Sequence, residues 1–183
     1  MTNKTLAKLT QIYRTPTSGS VFFNRGNTQV IRFTDRANGN SYEFIPETNP
    51  SEANRITNTT IPKIQEAIWS KNGNDVVLRY MDDNTDNIVS FAGKIKVSTS
   101  SAGISGQMLG SFLQPNIKQL VTNPSSDKLF SLIDSIDGSG SIGIFSSLDG
   151  SNKRQNFISP LSQFNISWPK DNIIAFTTKS SLS

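Results

Sequence analysis

Residues 30–35 read VIRFTD, and the pattern returns 47 positions later as VLRYMD at residues 77–82. The same shift places residues 20–27, SVFFNRGN, over residues 67–74, AIWSKNGN. Each copy gives an apolar segment, a polar turn and a second segment rich in β-branched residues, which together indicate paired β-strands. Matches of this length without a gap indicate an internal repeat of about 47 residues.

One bulky apolar residue marks each repeat unit. These repeat anchors are separated by 47, 52 and 47 residues, and they are Phe22, Trp69, Val121 and Trp168. Arg55 and Arg154 each precede one of the tryptophans by fourteen residues, which supports the alignment. We expect the anchors to be structural residues that pack between neighbouring units, in preference to ligand contacts.

Each unit predicts four short strands joined by turns. Three strands of the second unit are predicted at about 64–69, 76–81 and 87–97. The four strands of the third unit are predicted at about 117–122, 128–134, 141–147 and 154–158. The chain also contains 26 Ser, 16 Thr and 18 Asn, residue types that favour turns and strands over helices. The predicted fold is therefore an all-β propeller, complete or partial, made of four-stranded antiparallel blades.

The repeat divides the predicted propeller domain, residues 1–183, into blades. The predicted parts are the last strand of a preceding blade at 8–14, blades at 20–58, 63–113 and 117–158, a mobile surface loop at 98–106, and the first two strands of a further blade at 162–178. Propellers usually close with about 4–8 blades, so we expect a fragment of a longer propeller. The alternative is a four-blade form in which the N-terminal strand completes the last blade. A fragment would expose sheet edges and self-associate through them.

A family resemblance appears where residues 149–154, DGSNKR, are followed by WPKDN at residues 168–172. Residues 69–74, WSKNGN, form a second, degenerate copy. This pattern resembles the TolB-type, WD-like propeller repeat, in which Asp-Gly, Arg and a short strand precede Trp-Ser-Pro-Asp-Gly-Lys. The resemblance covers about residues 8–178. It implies a binding scaffold of the bacterial envelope, periplasmic or extracellular, anchored by a segment that precedes this chain, and it supplies no catalytic residue.

The chain contains no histidine and no cysteine. This excludes Ser-His-Asp and Cys-His catalysis, thiolate chemistry and metal sites built from imidazole or thiolate ligands. Residues 138–143 fit G-x-G-x-x-G, but no helical pattern follows, so we interpret them as a hairpin turn. We therefore predict a protein that is not an enzyme, with no catalytic residues, no cofactor and no metal.

Charge and hydropathy limit the classes of partner that we expect. The net charge is +4, but the basic residues are scattered and aromatic residues do not alternate with them, so we predict no nucleic-acid binding. No apolar run approaches the ~20 residues of a transmembrane helix, so we predict no membrane segment in this chain. A protein or peptide is the expected partner, and a glycan is the second choice.

The predicted function is that of a non-enzymatic binding scaffold. Two alternatives stay open: a glycan-active or enzyme-accessory propeller that uses carboxylates alone, and a purely structural envelope repeat protein. Binding is expected at the polar turns 24–27 and 71–75 and at the hairpin turns 35–39, 82–86 and 134–140. The candidate binding residues in the hairpin turns are Asp35, Arg36, Asp82, Asp83, Asp86, Asp134 and Asp137.

Overall fold

The computed structural model describes residues 9–48, 50–100 and 103–178, and within these residues the chain is all-β. The described strands form three four-stranded antiparallel sheets and one two-stranded sheet, and each sheet contains strands that are consecutive in the chain. The predictions of an all-β fold and of repeated four-stranded antiparallel sheets are thus confirmed. The third unit matches closely, since its predicted strands differ from the observed ones by one residue at one end.

The strands run as follows. The first sheet contains β1 (Thr17–Arg25), β2 (Thr28–Asp35), β3 (Ser41–Phe44) and β4 (Asn54–Arg55). The second contains β5 (Ile64–Trp69), β6 (Asp75–Met81), β7 (Ile88–Ser100) and β8 (Gly103–Phe112). The third contains β9 (Ile117–Thr122), β10 (Lys128–Asp134), β11 (Ser141–Ser147) and β12 (Arg154–Ser159), and the fourth contains β13 (Phe164–Lys170) and β14 (Ile173–Thr178).

Neighbouring sheets pack face to face in chain order, with a hydrophobic core between each pair. The core between the first and second sheets contains Ile56, Ile64, Ala67, Trp69, Val76, Leu78, Ile95 and Met108. The core between the second and third contains Val77, Ala92, Ile117, Leu120, Leu129 and Leu148. The core between the third and fourth contains Phe130, Leu132, Phe164 and Trp168. Burial of one such large side chain contributes about 1.5–3 kcal/mol, so these cores hold the sheets together.

The repeat anchors differ in how they pack. Trp69 and Trp168 are buried against the preceding sheet, as the repeat predicts. Phe22 is 58% exposed, because its neighbour Val21 faces the second sheet and alternation turns Phe22 to the opposite face, where no described sheet packs. Val121 packs into the core with the fourth sheet, so it faces the following sheet and is not equivalent to the tryptophans. The prediction is therefore wrong for Phe22, whereas Val121 packs between neighbouring sheets, as predicted.

Residues 98–106 are not a loop where they are described. β7 continues through Ser100 and β8 begins at Gly103, and the two strands are paired from Ser98 with Ser105 onward. A Cβ at Gly106 would overlap the backbone oxygen of Ile56, so this strand lies directly against the chain that leaves the first sheet.

Residues 9–14 are not a strand, which corrects the prediction for 8–14 within the described residues. Tyr13 lies instead on the face of the first sheet that points away from the second. Its ring centroid is 4.8 Å from that of Phe33 and 4.8 Å from that of Tyr42. The segment is held by this aromatic contact and by side-chain hydrogen bonds in place of pairing along a strand edge.

Candidate functional site

The predicted hairpin-turn residues lie at one end of the sheets, in the turns between second and third strands. Asp35 is 2% exposed, and its carboxylate accepts four hydrogen bonds within the chain. Tyr13 Oη and Thr15 Oγ1 donate to Oδ2 at 2.7 and 2.5 Å, and the amides of Ala37 and Asn38 donate to Oδ1 at 2.9 and 3.0 Å. Asp35 therefore closes a turn and leaves no acceptor for a ligand.

The pKa of Asp35 follows from the same contacts. Burial acts to raise it, but the hydrogen bonds from Thr15, Tyr13 and the two amides outweigh burial and lower the pKa below its ordinary value. Burial raises the pKa of Tyr13, so this phenol stays protonated and remains a donor to Asp35. The neighbouring Arg36 has an exposed side chain, and its amide donates to the carbonyl of Pro16 at 3.0 Å.

Asp82 and Asp137 close the equivalent turns of the second and third sheets. Asp82 Oδ1 accepts from the amides of Asn84 and Thr85 at 3.0 and 3.0 Å, and these donors lower its pKa. Asp137 Oδ1 accepts from Ser139 Oγ at 2.7 Å and from the Ser139 amide at 3.0 Å, which lowers its pKa to about 2. Both carboxylates act as turn caps.

The remaining predicted residues also have partners inside the chain. Asp83 forms an exposed ion pair with Lys63, and Asp134 Oδ2 lies 2.7 Å from Lys118 Nζ. Asp86 adopts a positive φ of 53° and its amide donates to the carbonyl of Asp82. The described residues contain no group of three or more carboxylates placed to hold a metal ion. The structure thus distributes the seven predicted residues over separate turns and does not bring them together.

A large groove lies at the opposite end of the sheets. It has a volume of about 1170 Å³, and we call it the intersheet groove. It is lined by the β1–β2 turn, the β5–β6 turn, part of the β7–β8 pair and two turns of the third sheet. The lining residues include Phe23, Arg25, Lys71, Asp75, Ala92, Lys94, Lys96, Leu109, Ser111, Ser125, Asp127, Leu148 and Asp149. The predicted polar turns 24–27 and 71–75 contribute part of this lining.

The groove lining contains both cations and carboxylates. Lys94 and Lys96 are two positions apart on β7, so both point to the face that meets the third sheet. The third sheet contributes Asp127 and Asp149 from its turns. Hydrogen bonds from Ser151 are the main cause of the lowered pKa of Asp149, and the charge of Lys94 adds to it. The field of Lys94 therefore reaches across the groove.

Several of these charges are already paired. Lys94 Nζ lies 3.5 Å from Asp75 Oδ1, and Arg25 Nη2 lies 2.5 Å from Glu43 Oε2. Lys71 and Lys96 form no ion pair in the described part of the chain. The groove consequently presents two unpaired ammonium groups beside the apolar surface of Leu109, whose side chain is 47% exposed. Such a surface favours a ligand that carries carboxylates and apolar side chains.

The sequence contains a signal for part of this groove that a search for motifs does not detect. Lys94 and Lys96 alternate with apolar residues along one strand, and Leu109 pairs with Lys94 on the adjacent strand. Alternation therefore predicts a face with both charge and apolar character. The approach of Asp127 and Asp149 to that face depends on sheet packing and has no sequence signal.

Comparison with known proteins does not assign the chain to a family. No protein-family model matches it, and no curated protein matches it. Within the described residues, no helix has the length and apolar character needed to cross a membrane.

Proposed function

We propose that the chain is a non-enzymatic binding scaffold of the β-propeller type, and that the intersheet groove receives a protein or peptide partner. The observation that carries this proposal is the groove itself, which has the size of a ligand site, an exposed apolar residue and unpaired cations. A peptide suits these features because it brings apolar side chains, carboxylates and backbone polar groups in one ligand.

The propeller architecture is supported by contacts between the first strands of the first and second sheets and between those of the third and fourth sheets. A Cβ at Gly19 of β1 would overlap the backbone oxygen of Ala67 in β5, so these two strands are in close contact. Between β9 and β13, Gln119 donates to the carbonyl of Phe164 and accepts from the amide of Ile166 at 3.0 Å. Sheets stacked through their first strands in this way are what a propeller has around its axis. The resemblance to TolB-type repeats supports the same architecture and an extracytoplasmic, envelope-associated role.

The binding proposal is tested with fluorescently labelled short peptides that differ in net charge and in apolar content. We expect saturable anisotropy changes with acidic peptides that contain large apolar side chains. Leu109→Asp should weaken binding about tenfold, because it places a charge on the apolar part of the groove. Leu161→Asp is the matched control, since Leu161 is 53% exposed and lies outside the groove lining.

Two outcomes would contradict this proposal. One is the absence of binding by every peptide to the folded chain. The other is equal loss of binding in Leu109→Asp and Leu161→Asp, which would show that the groove is not where the peptide lies. A charge-reversing variant, Lys96→Glu, adds a second readout, because it should reduce the preference for acidic peptides.

A carboxylate-only glycan-active protein is the second candidate, and one observation favours it: Asp75, Asp127 and Asp149 all line the groove. A glycosidase also needs a carboxyl group whose pKa is raised so that it can donate a proton. In the groove the pKa of Asp149 is lowered, so this residue is suited to accept and not to donate. Release of nitrophenol from aryl glycosides by the chain, and its loss in Asp127→Asn, would support this second function over the first.

A further inference from the structure

The repeat places a glutamate beside one arginine and a serine beside its counterpart. In the third residue pair from the hairpin turn, Arg32 faces Glu43 in the first sheet and Arg79 faces Ser90 in the second. The two arginines are 47 positions apart, and Glu43 and Ser90 are also 47 positions apart. The two pairs are therefore equivalent in the repeat and differ in whether a carboxylate is present.

The first sheet shows what this position binds. Nε of Arg32 donates to Oε2 of Glu43 at 2.8 Å, and both side chains are buried. A hydrogen bond between two charged groups is the strong kind, and it compensates a guanidinium that is removed from water. The place beside Nε of the arginine therefore receives a carboxylate where the chain supplies one.

The second sheet keeps the arginine and lacks the carboxylate. Nε of Arg79 and Oγ of Ser90 are both buried, and within the described residues neither has a hydrogen-bond partner. Ser90 is 3% exposed. Facing residues of antiparallel strands share a face, with Cβ atoms about 4.5–5.5 Å apart, so these two donors are neighbours. Leaving buried donors without an acceptor is costly, and an acceptor that serves both is favoured.

The other contacts of Arg79 compensate its charge weakly. Nη2 donates to the carbonyls of Ile117 and Lys118 at 3.0 and 3.3 Å, and Nη1 lies 3.2 Å from Oε2 of Glu66. The carbonyls carry no net charge, and the side chain of Glu66 is about half exposed to water. An anion beside Nε is consequently favoured by charge as well as by hydrogen bonding.

We propose that Arg79 and Ser90 form a binding site for a small carboxylate ligand, which accepts hydrogen bonds from Nε of Arg79 and Oγ of Ser90. The ligand supplies the group that Glu43 supplies in the first sheet. Ser90 and Ala92 are two positions apart on β7 and share a face, and Ala92 lines the intersheet groove, so the site adjoins the groove. It does not depend on the proposed function, because its evidence is the comparison of the two repeat units.

The probe is sodium formate, the smallest carboxylate, which replaces sodium chloride at constant sodium concentration. Thermal unfolding of the intact chain is followed by tryptophan fluorescence. We expect Tm to rise saturably, by about 2–4 °C when formate reaches about five times its Kd. The Nε–H resonance of Arg79 in a proton–nitrogen correlation spectrum should shift with the same Kd. Its absence from the spectrum of Arg79→Lys identifies this resonance.

Three variants locate the formate. Ser90→Ala removes one donor without adding volume, so affinity should fall about tenfold. Arg79→Lys keeps the positive charge but has no Nε–H, so its Tm should not respond to formate. Ser41→Ala is the matched control, because Oγ of Ser41 is also buried without a partner in the described part of the chain but faces Thr34. Its response to formate should equal that of the parent chain.

The first sheet offers a reciprocal test. Glu43→Ser gives Arg32 the serine neighbour that Arg79 has, and it also removes the carboxylate that pairs with Arg25. This variant should have a lower Tm than the parent chain. Formate should raise its Tm by more than it raises that of the parent, because two sites then bind the probe.

The proposal is overturned by any of three results. The first is a folded parent chain in which formate changes neither Tm nor the Arg79 resonance. The second is an equal rise of Tm in the parent chain, Ser90→Ala and Arg79→Lys, which would be a general effect of the salt. The third is a shift of the Arg79 resonance that chloride reproduces at the same concentration, because the site would then not select a carboxylate.

Discussion

The first and second repeat units share several residues at matched positions, among them an arginine, but bury them to different extents. Arg32 and Arg79 are 47 residues apart and both link their own sheet to the next one. Arg32 Nη1 donates to the carbonyl of Gly73 in the second sheet at 2.8 Å, and Arg79 Nη2 donates to the carbonyl of Ile117 in the third at 3.0 Å. The repeat thus preserves a contact between sheets that the identity of the residues alone does not reveal.

The partners of the two arginines show the difference. The side chains of Arg32 and Glu43 are 4% and 10% exposed, and their atoms Nε and Oε2 lie 2.8 Å apart. The side chains of Arg79 and Glu66 are 13% and 47% exposed, with 3.2 Å between Nη1 and Oε2, and the described residues give Nε of Arg79 no partner. The matched arginines therefore both point toward the next sheet. The surrounding sheets and segments determine how deeply each ion pair is buried and hence how much it contributes to the free energy of unfolding.

The largest expected effect breaks the buried pair. Arg32→Met should destabilise the fold by about 3 kcal/mol, because Glu43 stays buried with Arg25 as its remaining cation and the carbonyl of Gly73 loses its donor. Arg79→Met is the matched change in the second unit and should cost about 1 kcal/mol, since Glu66 is half exposed to water. Urea unfolding followed by tryptophan fluorescence measures both. Equal losses would show that burial does not set the energy of this repeat position.

The second prediction compares the two turn aspartates, which are also 47 residues apart. Asp35→Ala should cost about 2 kcal/mol, because Asp35 is 2% exposed and its removal deprives two side-chain donors and two amides of their acceptor. Asp82→Ala should cost less, since its donors lie at the surface and water replaces the carboxylate. Thermal unfolding of the two variants gives the ranking. A larger loss for Asp82→Ala would contradict the conclusion that Asp35 holds the segment containing Tyr13 against the first sheet.

A third prediction concerns acid stability and has a definite sign. The pKa values of Asp35 and Glu43 are lowered from ordinary values of 3.8 and 4.5; burial opposes the shift, and hydrogen bonds from Thr15 and Tyr13, and from Arg25 and Arg32, outweigh it. Both carboxylates therefore take up a proton more readily in the unfolded chain than in the folded chain. Their stabilisation is complete above the ordinary values and is lost as the pH falls below them toward the folded values.

Urea titrations between neutral pH and about pH 2 test this prediction. We expect the double variant Asp35→Asn, Glu43→Gln to lose less stability on acidification than the parent chain. The stability lost by protonating Asp35 and Glu43 should be smaller than that lost in Arg32→Met or Asp35→Ala, because protonation keeps the shape of both side chains. An unchanged pH slope in the double variant would place the acid sensitivity elsewhere.

Features that depend on local sequence pattern were predictable from the sequence, whereas features that depend on packing between sheets were not. The strands of the third unit were predictable because alternation and turn residues act within a few positions of each other, as at Asp134 and Gly138. Residues 98–106 were mispredicted as a loop because small residues in a strand and in a loop look alike, and contact with the carbonyl of Ile56 decides between them. The groove was not predictable, because it depends on the packing of the second sheet on the third. This packing lets the charge of Lys94 act on Asp149, which lies 55 residues away in the chain.

The smallest expected effect isolates the backbone. Gly39 and Asp86 occupy the same repeat position and both adopt positive φ, 71° and 53°. A Cβ at Gly39 would overlap the carbonyl oxygen of Ile61, whereas Asp86 is exposed. Asp86→Gly should therefore stabilise the fold by about 0.5 kcal/mol, because relief of the left-handed conformation slightly exceeds the added entropy of the unfolded chain. Gly39→Ala should destabilise it, and comparison of the two urea midpoints tests both. If Asp86→Gly is destabilising as well, the side chain of Asp86 contributes more to its turn than its backbone costs, and the two turns differ in chemistry as well as in burial.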